Sequence, residues 1–235
     1  MNNVISQIRQ ELKNRADEKV KESGERYFKE KVKVYGTSTA LVAQIGKKFW
    51  GEIKDRDKKE IFSCCEELWK SGYLEESFVA CNWSYSARKK YEPGDFKIFE
   101  RWVNNYISNW ASCDDLCNHT IGNFIERYPA YLTDLKKWAV SKNRWMRRAS
   151  AVSLIKSARQ GKFLKEIFSI ADILLIDQDD LVRKGYGWML KVASQTHERE
   201  VFAYVMKNKK VMPRTALRYA IEKMSKELKA KAMAK

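Results

Sequence analysis

The chain has 235 residues, 44% hydrophobic and 32% charged, a balance that supplies a buried core and excludes a disordered polyelectrolyte. Its 46 lysines and arginines against 30 acidic residues give a formal net charge of +16, which points to a polyanion such as nucleic acid or to an anionic membrane surface. The longest apolar run, around Ile173 to Ile176, is far too short to span a bilayer, and charges interrupt Met1 to Lys19 too often for a signal peptide.

Every segment long enough to judge has helical period. Residues 2–20 read as one helix with Val4, Ile5, Ile8 and Leu12 on one face, and residues 24–35 as a second, stopped by Gly36. Thr37 or Ser38 caps a third, carrying Leu41, Ile45, Phe49 and Trp50. Ile61, Cys64, Cys65, Leu68 and Trp69 form the next stripe, closed by Ser71-Gly72, and helices over 75–89, 95–107, 110–128 and 130–140 continue the series. No segment alternates as a strand does, so the fold is all-α. The five cysteines are odd in number, two are adjacent and no CxxC occurs, which reads as a reduced, cytoplasmic chain with free thiols.

A weak repeat follows. Met146-Arg147-Arg148-Ala149, Val182-Arg183-Lys184-Gly185 and Pro213-Arg214-Thr215-Ala216 occupy one position in successive units, with Arg147, Arg183 and Arg214 spaced 36 and 31 residues apart. Each tetrad begins a helix after a short polar turn, and Phe78-Val79-Ala80 is an upstream relative. Units of this length holding two helices are HEAT-like, and their stacking gives a right-handed solenoid whose inner helices line a concave basic groove. The expected organisation is one domain over residues 1–225 and a basic, frayed tail over 226–235.

Four stretches carry chemistry. Trp110 and Asp114 sit four residues apart, sharing one helix face; alternatively Ser112 caps a helix with Asp114 or Asp115 in its first turn, and Trp110 merely packs. In Arg183–Lys191, Lys184, Trp188 and Lys191 lie near one face, while Gly185 and Gly187 call for close backbone approach, by a ligand or by a neighbouring helix. Asn143–Arg148 sets three arginines at a helix start, suited to phosphate or to a solvated turn. Arg26–Lys33 is a basic stretch with Tyr27, facing DNA or solvent. Cys113, Asp114, Cys117 and His119 lack a second ligand pair at suitable spacing, so no metal is expected and the two cysteines read as small core residues. The zinc deaminase pattern and the phosphate-binding G-x-x-x-x-G-K-[ST] loop are both absent.

With these residues assembled, the chain resembles the AlkD-like DNA alkylation-repair glycosylases, which are all-helical HEAT-like solenoids. The resemblance covers roughly residues 20–225 and rests on Arg26-Tyr27 with Tyr35-Gly36, on Asn109–Asp114, on Trp145–Ala149 and on Gly187-Trp188. It implies that Trp110 and Trp188 cradle the damaged nucleotide's sugar and backbone, that Asp114 is the catalytic carboxylate, and that Tyr27 and Arg148 contact DNA. Arg147, Arg183, Lys184 and Lys191 are further candidate DNA contacts from the basic repeat starts. The implied reaction removes cationic N3- or N7-alkylated purines from double-stranded DNA without a deep base pocket, unlike most glycosylases. A monofunctional hydrolase without metal or organic cofactor is expected, acting as a monomer in the cytoplasm near the nucleoid. Two positions depart from the family: Asn109 stands where some relatives carry an aromatic, and Lys191 where an Arg occurs, losing a bidentate phosphate fork. The alternative is a non-catalytic protein that binds damaged or branched DNA through the same basic surface.

Overall fold

A computed structural model of the protein describes residues 2–234. It is helical throughout: α1 (Asn2–Asn14), α2 (Glu18–Tyr27), α3 (Thr39–Ile53), α4 (Lys58–Ser71), α5 (Leu74–Ser86), α6 (Asp95–Tyr106), α7 (Trp110–Asp115), α8 (Gly122–Arg127), α9 (Leu132–Ala139), α10 (Arg144–Val152), α11 (Ile155–Arg159), α12 (Leu164–Leu174), α13 (Asp180–Ala193), α14 (Glu198–Asn208), α15 (Arg214–Ala220) and α16 (Lys226–Met233). A π-helical turn, Leu116–Ile121, follows α7 directly. Among the described residues the only extended pairing is an isolated bridge between Lys33 and Tyr73. No described helix is long and apolar enough to cross a membrane.

By internal packing the chain forms two compact units, Met1–Leu116 and Cys117–Lys235. In the first, α1 packs on α3, α3 on α5 and α5 on α7, while α4 packs on α6. In the second, α10 packs on α13 and α13 on α15, while α9 packs on α12. Neighbouring helices also pack, α4 on α5 and α9 on α10.

The first unit's core contains Ile8, Leu12, Ile53, Ile61, Leu68, Trp83 and Trp102, all fully buried. Side chains of this kind contribute roughly 1.5–3 kcal/mol each by leaving water. The apolar stripe of α4 is buried as its spacing predicts, and Gly72 closes the helix in the left-handed conformation. Trp83 satisfies its indole N–H on the Gly46 carbonyl at 2.8 Å, so a large ring is buried without an orphaned donor.

Glu66, on α4, accepts hydrogen bonds from Arg101, from the Trp102 indole at 3.4 Å and from the Tyr106 hydroxyl at 3.1 Å. Desolvation would raise its carboxyl, yet these three donors hold it below the ordinary carboxylate value. A depressed folded value means the stabilisation is present above about 4.5, the ordinary value, and is lost as pH falls through the folded one. Acidification from pH ~6 to ~3 is therefore expected to lower the melting temperature of the native chain more than that of Glu66→Gln. Equal slopes in the two melting series count against this role.

Three features differ from the periodicity. The helix expected over 2–20 breaks at Arg15–Asp17, because Asp17 takes the Val20 N–H at 3.0 Å and starts α2 as its cap. The helix expected over 24–35 ends at Tyr27, and the chain runs extended with Val32 and Val34 buried and Lys31 and Lys33 exposed. Gly36 is not a helix stop. Its φ of +102° lies in that extended run, where a Cβ would stand 2.6 Å from the Asp17 carbonyl oxygen. The tail expected to fray instead forms α16 through Met233, capped by Ser225 and anchored by buried Ala232.

Candidate active site

In the first unit, α7 carries both Trp110 and Asp114, each half-buried. The residue that starts this helix is Asn109 rather than Ser112. Asn109 is 4% exposed; its side-chain oxygen accepts the Ser112 N–H at 2.9 Å and its amide donates to the Ser112 hydroxyl at 3.1 Å. That hydroxyl lies 2.7 Å from the Ser77 hydroxyl, which donates to the Leu74 carbonyl at 2.6 Å. Cap and network tie the start of α7 to the first turn of α5. The Asn109 departure from an aromatic thus has a local purpose. Asp115, beside Asp114, is a partner of α5: it hydrogen bonds the Cys81 thiol, which burial and this carboxylate push well above its ordinary value.

Asn109→Ala removes the cap and leaves a buried N–H and hydroxyl short of partners. A loss of about 1 kcal/mol for the cap predicts a melting temperature lower by about 2–4 °C in a chain of this size. Asn109→Asp keeps the acceptor and should retain most of it; calorimetry on both variants decides, and equal losses would sink the capping role.

Tyr27, although 69% exposed, is not isolated. Its ring lies 5.8 Å from Trp110, and Phe28, the next residue, lies 5.6 Å from Trp110. Residues 83 positions apart in the chain are brought together at the end of α2 and the start of α7. A cleft of about 580 Å³ opens beside them, although the resemblance implies no deep base pocket. Phe28 and Glu75 are among the lining residues that the sequence does not single out. Phe28 follows Tyr27 within a stretch whose charges drew attention away from its ring. Glu75, half of an acidic pair at the start of α5, is 4% exposed.

In the second unit, Arg147, Arg148, Arg183, Lys184, Trp188 and Lys191 lie on α10 and α13. Arg147 and Arg183 serve two copies of one turn. Ser141 or Asp177 accepts the N–H two residues on, from Asn143 at 3.2 Å or Asp179 at 2.8 Å. Asn143 or Asp179 then caps its helix, taking the N–H of Trp145 or Leu181 at 2.9 Å. Arg147 or Arg183 returns a guanidinium hydrogen bond to the carbonyl of Ser141 or Asp177. Arg147 also meets the Asp177 carboxylate at 2.6 Å, linking the two copies. The 36-residue repeat is therefore real in structure, and these two arginines spend hydrogen bonds within the protein. The third tetrad departs: Arg214 is the first residue of α15 and Pro213 precedes it with no side-chain cap.

Arg148 is 5% exposed, and its guanidinium donates to the Leu181 carbonyl. It lies across α13, where a Cβ at Gly185 would stand 3.3 Å from its Cγ. At Gly187 a Cβ would stand 2.7 Å from the Cβ of Tyr219 and 3.0 Å from the Ala216 carbonyl. Both glycines thus answer to neighbours within the protein. Trp188 is half-buried on α13. Lys184 pairs with Asp180 at 2.8 Å, a hydrogen bond that pushes its ammonium value up. Lys191 pairs with Glu222 at 3.0 Å and lies 5.4 Å from the centre of the Tyr219 ring. Cys113 and Cys117 are fully buried, and no group of three metal-ligating side chains occurs among the described residues.

Residues 8–224 match the family model described as DNA alkylation repair enzyme. The chain belongs to this family. A solved structure titled as a predicted DNA alkylation repair enzyme from Enterococcus faecalis has 15% identity and a TM-score of 0.81, covering 90% of this chain and 98% of that one. The smu.31 protein of Streptococcus mutans UA159 has 22% identity and a TM-score of 0.58, covering 82% of this chain and 97% of that one. Identities this low establish a shared all-α fold and no more. No curated protein matches the chain. Membership in the DNA alkylation repair family agrees with the net charge of +16, since nucleic acid is the polyanion such an enzyme must hold.

Proposed function

We propose that this member of the DNA alkylation repair family is a monofunctional glycosylase that hydrolyses the N-glycosidic bond of N3- or N7-alkylated purines in duplex DNA. The observation that carries the reading is α7, a short helix fixed by the Asn109 cap and presenting a large ring and a carboxylate one turn apart. Alkylation at N3 or N7 leaves the purine positively charged, so it departs without a general acid. As the C1′–N bond breaks, its electron pair neutralises the base and the sugar becomes oxocarbenium-like. Asp114 stabilises that cation electrostatically and orients the water whose oxygen bonds to C1′ while its proton passes to solvent. The face of Trp110 favours the same cation by roughly 0.5–2 kcal/mol; the family resemblance gives Trp188, on α13, the role of a second aromatic contact to the damaged strand.

Tyr27, Arg148, Lys184 and Lys191 are the DNA contacts in this reading. Arg147 and Arg183, whose guanidinium groups clamp their own turns, act by holding α10 and α13 in place. The step forms no Schiff base, so the product is an abasic site and no metal or organic cofactor takes part. The chain acts as a monomer on double-stranded DNA, in the cytoplasm at the nucleoid. The test is incubation with duplex DNA treated with a methylating agent, followed by chromatography of the released bases. DNA binding without release of methylated purine would replace this reading with the non-catalytic binder.

A further inference from the structure

The two lysines of α13 carry their own counter-ions. Lys184 and Lys191 lie seven residues apart, two turns along one helix face, with Trp188 between them. Each ammonium has a carboxylate against it, Asp180 at 2.8 Å from Lys184 and Glu222 at 3.0 Å from Lys191. Both acids are exposed, while both lysines are half-buried. The Asp180 hydrogen bond holds the Lys184 ammonium above its ordinary value, and Lys191 rests against the Tyr219 ring.

These pairs differ from the arginine bonds beside them. Arg147 spends its guanidinium on its own turn and on the largely covered Asp177 carboxylate. Arg148 is buried across α13 with a hydrogen bond to the Leu181 carbonyl. Those bonds are part of the packing. A pair between an exposed carboxylate and a lysine is weakly held, because water competes for both ends and ordering two side chains costs entropy. It opens readily to another anion, and DNA offers anions in a regular row. When a phosphate takes the ammonium, the displaced carboxylate stays close by and repels that phosphate. Most of the electrostatic gain from two phosphate contacts is thereby withheld.

We propose that Asp180 and Glu222 attenuate the hold of this surface on DNA, each standing in for a phosphate, so that Lys184 and Lys191 reach the backbone only by exchanging one anion for another. This rests on the reading of the two lysines as DNA contacts and is independent of the chemistry at Asp114. The net charge of +16 gives such a device its use. A repair enzyme meets undamaged duplex far more often than a lesion, and every unopposed phosphate contact prolongs an unproductive stay. Carboxylates that compete at two contacts shorten it.

The test is the affinity of the full chain for a short unmethylated duplex, measured by fluorescence anisotropy across a salt series. Asp180→Asn and Glu222→Gln keep the shape of each acid and remove its charge. Each is expected to tighten binding about five- to tenfold at about 0.1 M salt, and to steepen the fall of log affinity with log salt by up to about 0.9, the increment for one more neutralised phosphate. Adding Lys184→Gln should abolish the gain from Asp180→Asn, and adding Lys191→Gln the gain from Glu222→Gln, since each acid acts through its lysine. A gain that survives loss of the lysine is a bulk effect of net charge and overturns the proposal. Unchanged or weaker binding by either acid variant overturns it for that pair. Lys184→Gln and Lys191→Gln alone show which idea has failed. If they weaken DNA binding while the acid variants gain nothing, the lysines stay DNA contacts and the attenuation falls. If they too leave binding unchanged, the contact reading falls and the attenuation with it. None of these outcomes depends on base release, so a failure of the glycosylase reading shows separately.

Discussion

Asp114→Asn is expected to cut base release from methylated duplex DNA by about 10²–10³-fold at saturating enzyme, the range for removing one electrostatic stabiliser of a transition state. Asn has the same shape and differs in charge, so it leaves packing on α7 unchanged. Affinity for DNA should stay within about twofold, because a group that acts only as charge develops at the sugar lowers the rate constant rather than binding. The neighbouring carboxylate provides the control. Asp115 is engaged with the Cys81 thiol on α5, and Asp115→Asn should disturb stability more than chemistry. Single-turnover assays on both variants decide the matter. Wild-type release by Asp114→Asn, or a larger catalytic loss in Asp115→Asn, would assign the chemistry to another group.

Gly187→Val is expected to destabilise the second unit by about 1–3 kcal/mol or more, the usual cost of overpacking. A Cβ at this position meets the Cβ of Tyr219 at 2.7 Å, the Ala216 carbonyl at 3.0 Å and the Ala216 Cα at 3.2 Å. None of these is the end of a flexible side chain, so α13 and α15 must separate. The melting temperature should fall by roughly 3–10 °C. Gly51, on α3, is the contrast: a Cβ there meets nothing within 4 Å, and Gly51→Ala should gain up to about 1 kcal/mol of helix propensity. Thermal melts that move both variants in the same direction would remove the packing account.

The sequence made the helices legible and their joints less so. The α4 stripe of Ile61, Cys64, Cys65, Leu68 and Trp69 is buried as its period requires, since a helix has one core-facing side. The break at Asp17 was hidden because Val4, Ile5, Ile8 and Leu12 set a period that the charged residues after Asn14 do not visibly contradict. Only a side chain turning back to the Val20 N–H ends that helix. The extended run after Tyr27 was hidden too, since Val32 and Val34 are only two alternating residues in a field of lysines. At the candidate site, the spacing of Trp110 and Asp114 was readable. The pairing of Trp110 with Tyr27 and Phe28 was not, because nothing local in either stretch encodes a contact over 83 positions. Glu75 was invisible for the opposite reason. An acidic residue in a helix's first turn has an ordinary explanation, and its hold on the backbone N–H groups of Tyr35, Gly36 and Thr37 is not encoded locally.

The turn shared by Ser141–Arg147 and Asp177–Arg183 has a bearing on how such a chain can change over generations. Each copy is closed by bonds among residues no more than six positions apart, so its geometry is inherited as a short cassette and asks little of the distant packing partners. Apolar residues along α10 and α13 can therefore be exchanged one at a time while the helix starts keep their places. A single inserted residue inside a cassette is another matter. It would turn the following helix by about 100°, carrying Arg148 off Leu181 in one case and Trp188 off its present face in the other. Insertions should be confined to the turns that lack the cassette.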